Sequence, residues 1–375
     1  MLAVLLPALA AVADFGANPG ALDMYEYVPA GLSSGAPLVV VLHGCTQTAA
    51  AMETAGWNAL ADANGFAVLY PQQRSANQPL SCFTWYSPTD IARTGGEAES
   101  ILEMVDKEVA AHGIDRSRVY VTGVSAGGAM TAVMLAAYPD RFAAGSVMSG
   151  IPYGCATDVS SGTQCEQGAT KTPAQWGDLV RGADPGFAGT WPRMQVWQGT
   201  SDTTVAPGNA HSLVDQWTNV HGADSTAGST ATVSTATYTT YAGGAVELYL
   251  VNGMGHAIAT GMDSLGTCPA GTGAYFSDEK ICSTLRAAAF FDLVAAGSGT
   301  GSDGGSNGGS DGGGTDMKAS GGCSAGGSPG WFVVMLVLLL RLMRWSIAPR
   351  SSHAACAGSI AIAGGSPSRP RSRSR

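Results

Sequence analysis

The sequence predicts an α/β fold, a mostly parallel central sheet with helices on both faces. Two observations carry that prediction. From about 24 to 298, short β-branched and aliphatic runs alternate with longer amphipathic runs. One strand-like run, "RVYVTG", leads through Gly123-Val124-Ser125-Ala126-Gly127 into small apolar residues. Strands that alternate with helices are buried on both faces, the pattern of a parallel sheet.

The elements follow in order. "PLVVVLHG" (37–44) reads as a buried strand, "AMETAGWNALADANG" (51–65) as one helix ended by glycine, and "FAVLYPQQ" (66–73) as the next strand. "EAESILEMVDKEVAAHG" (97–113) is an amphipathic helix with Ala98, Ile101, Leu102, Val105 and Val109 on one face. "SRVYVTG" (117–123), "FAAGSVMSG" (142–150), "RMQVWQG" (193–199) and "AVELYLVNG" (245–253) are further strands. "NAHSLVDQWTNVHG" and "ICSTLRAAAFFDLVAAG" are later helices. In such a sheet, ligands sit at the carboxyl ends of the strands.

Composition narrows the class. Hydrophobic residues make up 45% of the 375 and charged residues 13%, which fits a large packed core. The net charge of −9 hides an asymmetry. Residues 341–375 hold seven arginines and no acid, leaving 12 bases against 28 acids in the rest, a net −16. An acidic body of that kind argues against a nucleic-acid partner. The apolar start, "MLAVLLPALAAVADFG", ends like a secretory signal peptide, with cleavage near Ala13. It lacks a basic n-region, which leaves the true start open. Export together with six cysteines between 45 and 282 predicts disulfides and an extracellular or cell-surface location.

The serine corner suggests chemistry. Glycines two before and two after Ser125 let a strand and a helix nearly touch, which pushes the hydroxyl up at a helix N-terminus. A serine nucleophile needs a base and an acid that orients the base. "QVWQGTSDTTVAP" places Asp202 just past one strand and "LYLVNGMGHAIA" places His256 just past another, in the chain order Ser, Asp, His. Catalytic roles are therefore expected for Ser125, Asp202 and His256. The oxyanion hole should use the backbone N–H of Ala126 and of Cys45, with His43 and Gly44 shaping the loop. Asp178 and Asp184 are rival acids, but neither follows a strand. His112, His211 and His221 read as surface or capping residues. No histidines and carboxylates cluster with metal-ligand spacing, so no metal is expected, and no phosphate-loop lysine is present, which argues against phosphate binding.

Seven blocks in order, "YEYVPAG", "LVVVLHGCTQTAAAM", "GFAVLYPQQ", "CFTWY", "RVYVTGVSAGGAMT", "GIPYGCA" and "NGMGHAIA", resemble the polyhydroxyalkanoate (PHB) depolymerase-type serine esterases, a family that also contains feruloyl and acetylxylan esterases. The resemblance covers about 20 to 298. It implies an α/β-hydrolase fold without cofactor that acts on esters outside the cytoplasm. It places nucleophile, acid and base on Ser125, Asp202 and His256, and the oxyanion donors on Cys45 and Ala126. It also implies a Cys45–Cys82 disulfide. Proximity in the chain pairs Cys155 with Cys165 and Cys268 with Cys282. Trp85, Tyr86 and Tyr153 are candidates for stacking on substrate, and residues 151–192 for lining an acyl pocket.

The domain reading is a signal peptide over 1–13, a catalytic domain over 14–298 and a Gly/Ser/Asp-rich linker over 299–322. A Cys-containing hydrophobic segment spans 323–345, and a basic low-complexity tail spans 346–375. "GGCSAGG", "WFVVMLVLLL" and the arginines after it resemble the C-terminal sorting tails of some Gram-negative bacteria. A transmembrane anchor is the alternative, although ten strongly apolar residues fall short of the roughly 20 of a membrane-crossing helix. The tail is either disordered or a reading-frame artefact. No adsorption module follows the linker, which favours soluble hydroxyalkanoate oligoesters over crystalline polyester. A feruloyl or acetylxylan esterase acting on plant polysaccharide is the alternative. Outside enzymes, the alternative is a surface carbohydrate-binding protein with a vestigial site.

Overall fold

The computed structural model describes residues 9–294. Its strands are β1 (Ala10–Val12), β2 (Asp23–Tyr27), β3 (Leu38–Leu42), β4 (Ala67–Gln72), β5 (Val119–Val124), β6 (Ala144–Met148), β7 (Arg193–Gly199), β8 (Ser229–Val233), β9 (Ala236–Tyr241), β10 (Val246–Val251), β11 (Ile258–Thr260) and β12 (Phe276–Asp278). Its helices are α1 (Ala49–Glu53), α2 (Trp57–Asn64), α3 (Gly96–His112), α4 (Ala126–Ala137), α5 (Val159–Glu166), α6 (Pro173–Ala183), α7 (Gly208–Val220) and α8 (Ser283–Phe290).

Ten strands form one sheet in the order β1-β2-β4-β3-β5-β6-β7-β10-β9-β8. The six central strands, β4 to β10 in that order, are parallel, and the outer strands pair antiparallel. The pleat divides the core in two. Leu38, Val40 and Leu42 of β3 pack towards α3, α4, α6 and α7, whereas Val39 and Val41 pack towards α1, α2 and α8. Helix α4 is buried on all sides, so its sequence shows no polar stripe.

The six central parallel strands and helices α3, α7 and α8 fall where the sequence predicts them, whereas the short strands β1, β2, β11 and β12 are ones it does not mark. The helix expected over 51–65 is instead two, α1 and α2, broken at Gly56 (φ 87°). A side chain there would meet the Pro269 backbone at 2.6 Å, so the break makes room for a distant loop. The hairpin β8–β9, absent from the sequence reading, extends the sheet edge beyond β10 with Thr- and Ala-rich strands. The segment 151–192 forms α5 and α6 between β6 and β7. Of the expected signal peptide 1–13, Ala10–Val12 form edge strand β1 against Met24–Glu26, and residues 1–8 lie outside the described residues.

One expectation is corrected. Among the described residues, no helix is long and apolar enough to cross a membrane, against the transmembrane reading. The run 323–345 on which it rested, the linker and the basic tail lie outside the described residues.

Candidate active site

Ser125 sits at the end of β5 and caps α4, with φ 58° and ψ −122°. A non-glycine residue with positive φ costs about 1–3 kcal/mol, and the packing around it must hold it there. The glycines supply that packing. A Cβ on Gly123 would lie 2.4 Å from Gly127 O, and one on Gly127 would lie 2.3 Å from Leu42 O and 2.6 Å from His43 O. The first turn of α4 thus rests directly on the end of β3. The Ser125 N–H donates to Met148 O at 2.9 Å, and the Ser149 N–H donates to Trp197 O at 2.8 Å, which ties the ends of β5, β6 and β7 together.

Asp202 lies three residues past Gly199, the last residue of β7. Its Oδ1 accepts from the Thr204 and Val205 N–H groups, each at 2.9 Å, and its Oδ2 accepts from Gln198 Nε2 at 3.1 Å. His256 Nδ1 lies 2.8 Å from the same Oδ2. Burial pushes the Asp202 carboxyl up. The hydrogen bond and charge of His256, with the Val205 and Thr204 donors, outweigh it and hold the group below its ordinary value. The two loops meet back to back. The Ser201 N–H donates to Met254 O at 3.0 Å, and a Cβ on Gly199 would lie 2.2 Å from that oxygen.

The structure therefore joins Asp202 to His256 by a hydrogen bond. It puts Ser125 on the same edge of the sheet, but Ser125 Oγ takes no hydrogen-bond partner among the described residues. The oxyanion candidates are available. Among the described residues, neither the Cys45 nor the Ala126 N–H has a hydrogen-bond partner. The Gly44 position faces Ser125, with an added Cβ 3.3 Å from Ser125 Cβ, so the Cys45 loop lies against the serine.

That loop is buttressed from below. His43 Nε2 accepts from the Gln73 N–H at 3.0 Å, which leaves the proton on Nδ1 to donate to Gly44 O at 2.8 Å. Burial pushes the His43 pKa down to about 4, against the Gly44 carbonyl. Gln73 Nε2 donates to Cys82 O at 3.3 Å and to Glu97, which also accepts from Thr84 N and Oγ1 at 2.7 and 2.6 Å. The Cys45–Cys82 disulfide closes the same assembly, and Cys155–Cys165 and Cys268–Cys282 form as well.

Of the aromatic candidates, Trp85 is buried in the core, at 6% exposure, with its ring edge-on to Tyr86. Tyr86 and Tyr153 are half-buried against the same core. Sequence reasoning missed Tyr275, whose ring lies 6.5 Å from His256 and whose residue is 43% exposed. Tyr275 lines a groove of about 260 Å³ with Thr46, Thr48, Thr54, Thr272 and Phe276, next to the Cys45 loop. It also missed Glu166 at the end of α5. Burial pushes the Glu166 carboxyl up to about 7, and the charge of His256 opposes that rise. The rival acids are spent elsewhere, Asp178 on Arg181 and Asp184 on Arg93. His221 is the C-cap of α7 through its backbone N–H, its ring Nε2 lies 3.1 Å from Pro192 O, and His211 is exposed.

The mostly parallel sheet with helices on both faces is an α/β-hydrolase fold, and the relatives, named as esterases or as a depolymerase, make the chain a carboxylic ester hydrolase. The chain belongs to the Esterase PHB depolymerase family, whose model matches residues 22–238. It is 48% identical over 296 residues to poly(3-hydroxyalkanoate) depolymerase C of Paucimonas lemoignei, covering 76% of this chain and 70% of that one. It is 37% identical over 270 residues to feruloyl esterase B of Talaromyces funiculosus, covering 68% and 75%. The solved acetyl xylan esterase of Aspergillus awamori matches with a TM-score of 0.63 and 33% identity, over 67% of this chain and 94% of that one.

Proposed function

We propose that the protein is an extracellular serine esterase that hydrolyses hydroxyalkanoate oligoesters. The observation that carries the proposed mechanism is the buried Asp202–His256 hydrogen bond on the sheet edge that holds the strained Ser125 corner. His256 Nε2 takes the Ser125 proton as Oγ attacks the ester carbonyl. The Cys45 and Ala126 N–H groups stabilise the oxyanion, and the N-terminal dipole of α4 adds to them. Asp202 holds the imidazole with Nδ1 protonated and stabilises its cation. The alcohol leaves with the proton from His256. Water, deprotonated by His256, then attacks the acyl-enzyme and releases the acid. The Ser125–His256 hydrogen bond forms as substrate binds, as catalytic hydrogen bonds commonly do.

The 48% identity to a poly(3-hydroxyalkanoate) depolymerase, against 37% to a feruloyl esterase, favours a hydroxyalkanoate acyl group. The Tyr275 groove, lined by threonines together with Ala51, Ala274 and Phe276, suits a short run of ester units. A second reading, an acyl esterase on plant polysaccharide, is favoured by the match over 94% of the acetyl xylan esterase structure. Three disulfides favour an oxidising, extracellular setting. We take 14–298 as the catalytic domain, 299–322 as a linker, 323–345 as a sorting segment and 346–375 as a tail.

The test is a hydrolysis panel on the purified chain with Ser125→Ala as blank. It sets hydroxybutyrate oligomers against methyl ferulate and acetylated xylan. The highest kcat/KM on hydroxybutyrate oligomers supports the substrate reading. Preference for ferulate or acetyl xylan overturns it in favour of the second. Equal activity of Ser125→Ala and wild type on every substrate overturns the mechanism.

A further inference from the structure

We propose that Glu26, Glu108 and His112 form a binding site for one divalent transition-metal ion of the zinc class, a structural clamp between β2 and the last turn of α3. Glu26 lies far in the chain from Glu108 and His112, and the ligand atoms of the three lie within 4.8 Å of one another. His112 Nε2 is 3.2 Å from Glu26 Oε2 and 3.8 Å from Glu108 Oε2. Around a tetrahedral centre with bonds of about 2.0–2.1 Å, neighbouring ligand atoms are separated by roughly 3.3–3.4 Å. The two spacings to His112 bracket that value.

The second observation is Glu108 itself. Its side chain is fully buried, no N–H or hydroxyl donor reaches either carboxyl oxygen within hydrogen-bond distance among the described residues, and its near polar neighbours are His112 at 3.8 Å and the Glu26 carboxyl. Buried carboxyls are ordinarily paired or hydrogen-bonded. Glu97, near the other end of the same helix, illustrates the rule, since Gln73 and Thr84 supply its oxygens with donors. Among the described residues, no lysine or arginine forms an ion pair with Glu26 or Glu108. Glu108 and His112 are four apart, so they project from one face of α3, and that face meets Glu26 on β2.

The donor set selects the ion. Two carboxylates and a neutral imidazole balance a double positive charge. The imidazole nitrogen favours zinc-like ions over calcium or magnesium, which prefer shells of oxygen. Water completes the coordination.

The site is remote from the esterase chemistry. Glu97 joins Gln73 beyond the carboxyl end of β4, so α3 runs from the catalytic edge of the sheet to the opposite edge. There the Gly113 carbonyl accepts from the Gly35 N–H, ahead of β3. The clamp therefore acts on stability and leaves ester hydrolysis unchanged.

The experiment uses the full chain without a histidine tag, stripped with chelator and titrated calorimetrically with zinc chloride, with thermal unfolding in parallel. Expected are one zinc per chain, a Tm rise of roughly 5 °C at a hundredfold excess over Kd, and unchanged esterase activity after stripping. Glu108→Gln and His112→Ala should each weaken binding at least about tenfold. Circular dichroism checks the fold. If Glu108→Gln does not fold, Glu26→Gln, at a half-buried position, replaces it. No saturable uptake by wild type, or equal affinity in the variants, overturns the proposal. The first of these results would mean that Glu26 and Glu108 share a proton instead.

Discussion

Gly127→Ala tests how the packing under the serine corner produces function. The added methyl would lie 2.3 Å from Leu42 O and 2.6 Å from His43 O. Ordinary carbon–oxygen contact begins near 3.3 Å, so about 1 Å must open between α4 and the end of β3. Both obstructing atoms belong to the backbone, and no rotamer change relieves them. Overpacking of this severity costs roughly 1–3 kcal/mol, which lowers Tm by about 5 °C in a domain of this size. The displaced strand end leads directly into His43, Gly44 and the Cys45 donor, and a 1 Å misplacement at a reacting centre can cost roughly 100-fold. Gly208→Ala is the control, because its methyl meets nothing. Differential scanning calorimetry and kcat/KM on a soluble hydroxybutyrate ester give the two readouts. A Gly127→Ala protein within about 1 °C and about twofold of wild type would refute the reasoning.

Two further predictions follow from the same geometry. Asp202→Asn keeps the shape but removes the charge that holds the His256 tautomer, and should lower kcat by roughly 10³–10⁴ while leaving the far-ultraviolet circular dichroism unchanged. His43 is pushed down to about 4 in the folded state against an ordinary value of 6.5, so the unfolded chain binds the extra proton first as pH falls. Its contribution is intact above pH 6.5 and is lost between 6.5 and about 4, up to about 3 kcal/mol. The check is the urea midpoint at a series of pH values for wild type and for His43→Asn, and the variant should show the shallower slope.

Much of this was legible because the informative residues sit at strand ends. Ser125, Asp202 and His256 each follow a strand of the parallel sheet, and parallel strands bring their carboxyl ends to one edge. The contributions of partners distant in sequence were not legible. The break at Gly56 depends on Pro269, and the His43–Gln73–Glu97–Thr84 network spans three loops and a helix. Tyr275 looks like any loop tyrosine until the fold sets it beside His256. Trp85 resembles a binding aromatic in the sequence, yet its surface is spent on the core. His112 reads as a surface residue because its partners, Glu26 and Glu108, come together only when α3 packs on β2.

The central claim is that Ser125 is the nucleophile. The most direct measurement is mass spectrometry of the chain after reaction with a fluorophosphonate. The account predicts one adduct per chain, on the peptide that carries Ser125, with loss of activity in proportion to labelling and no adduct on Ser125→Ala. Labelling of another residue with equal loss of activity, or full activity in a chain completely labelled at Ser125, would contradict it.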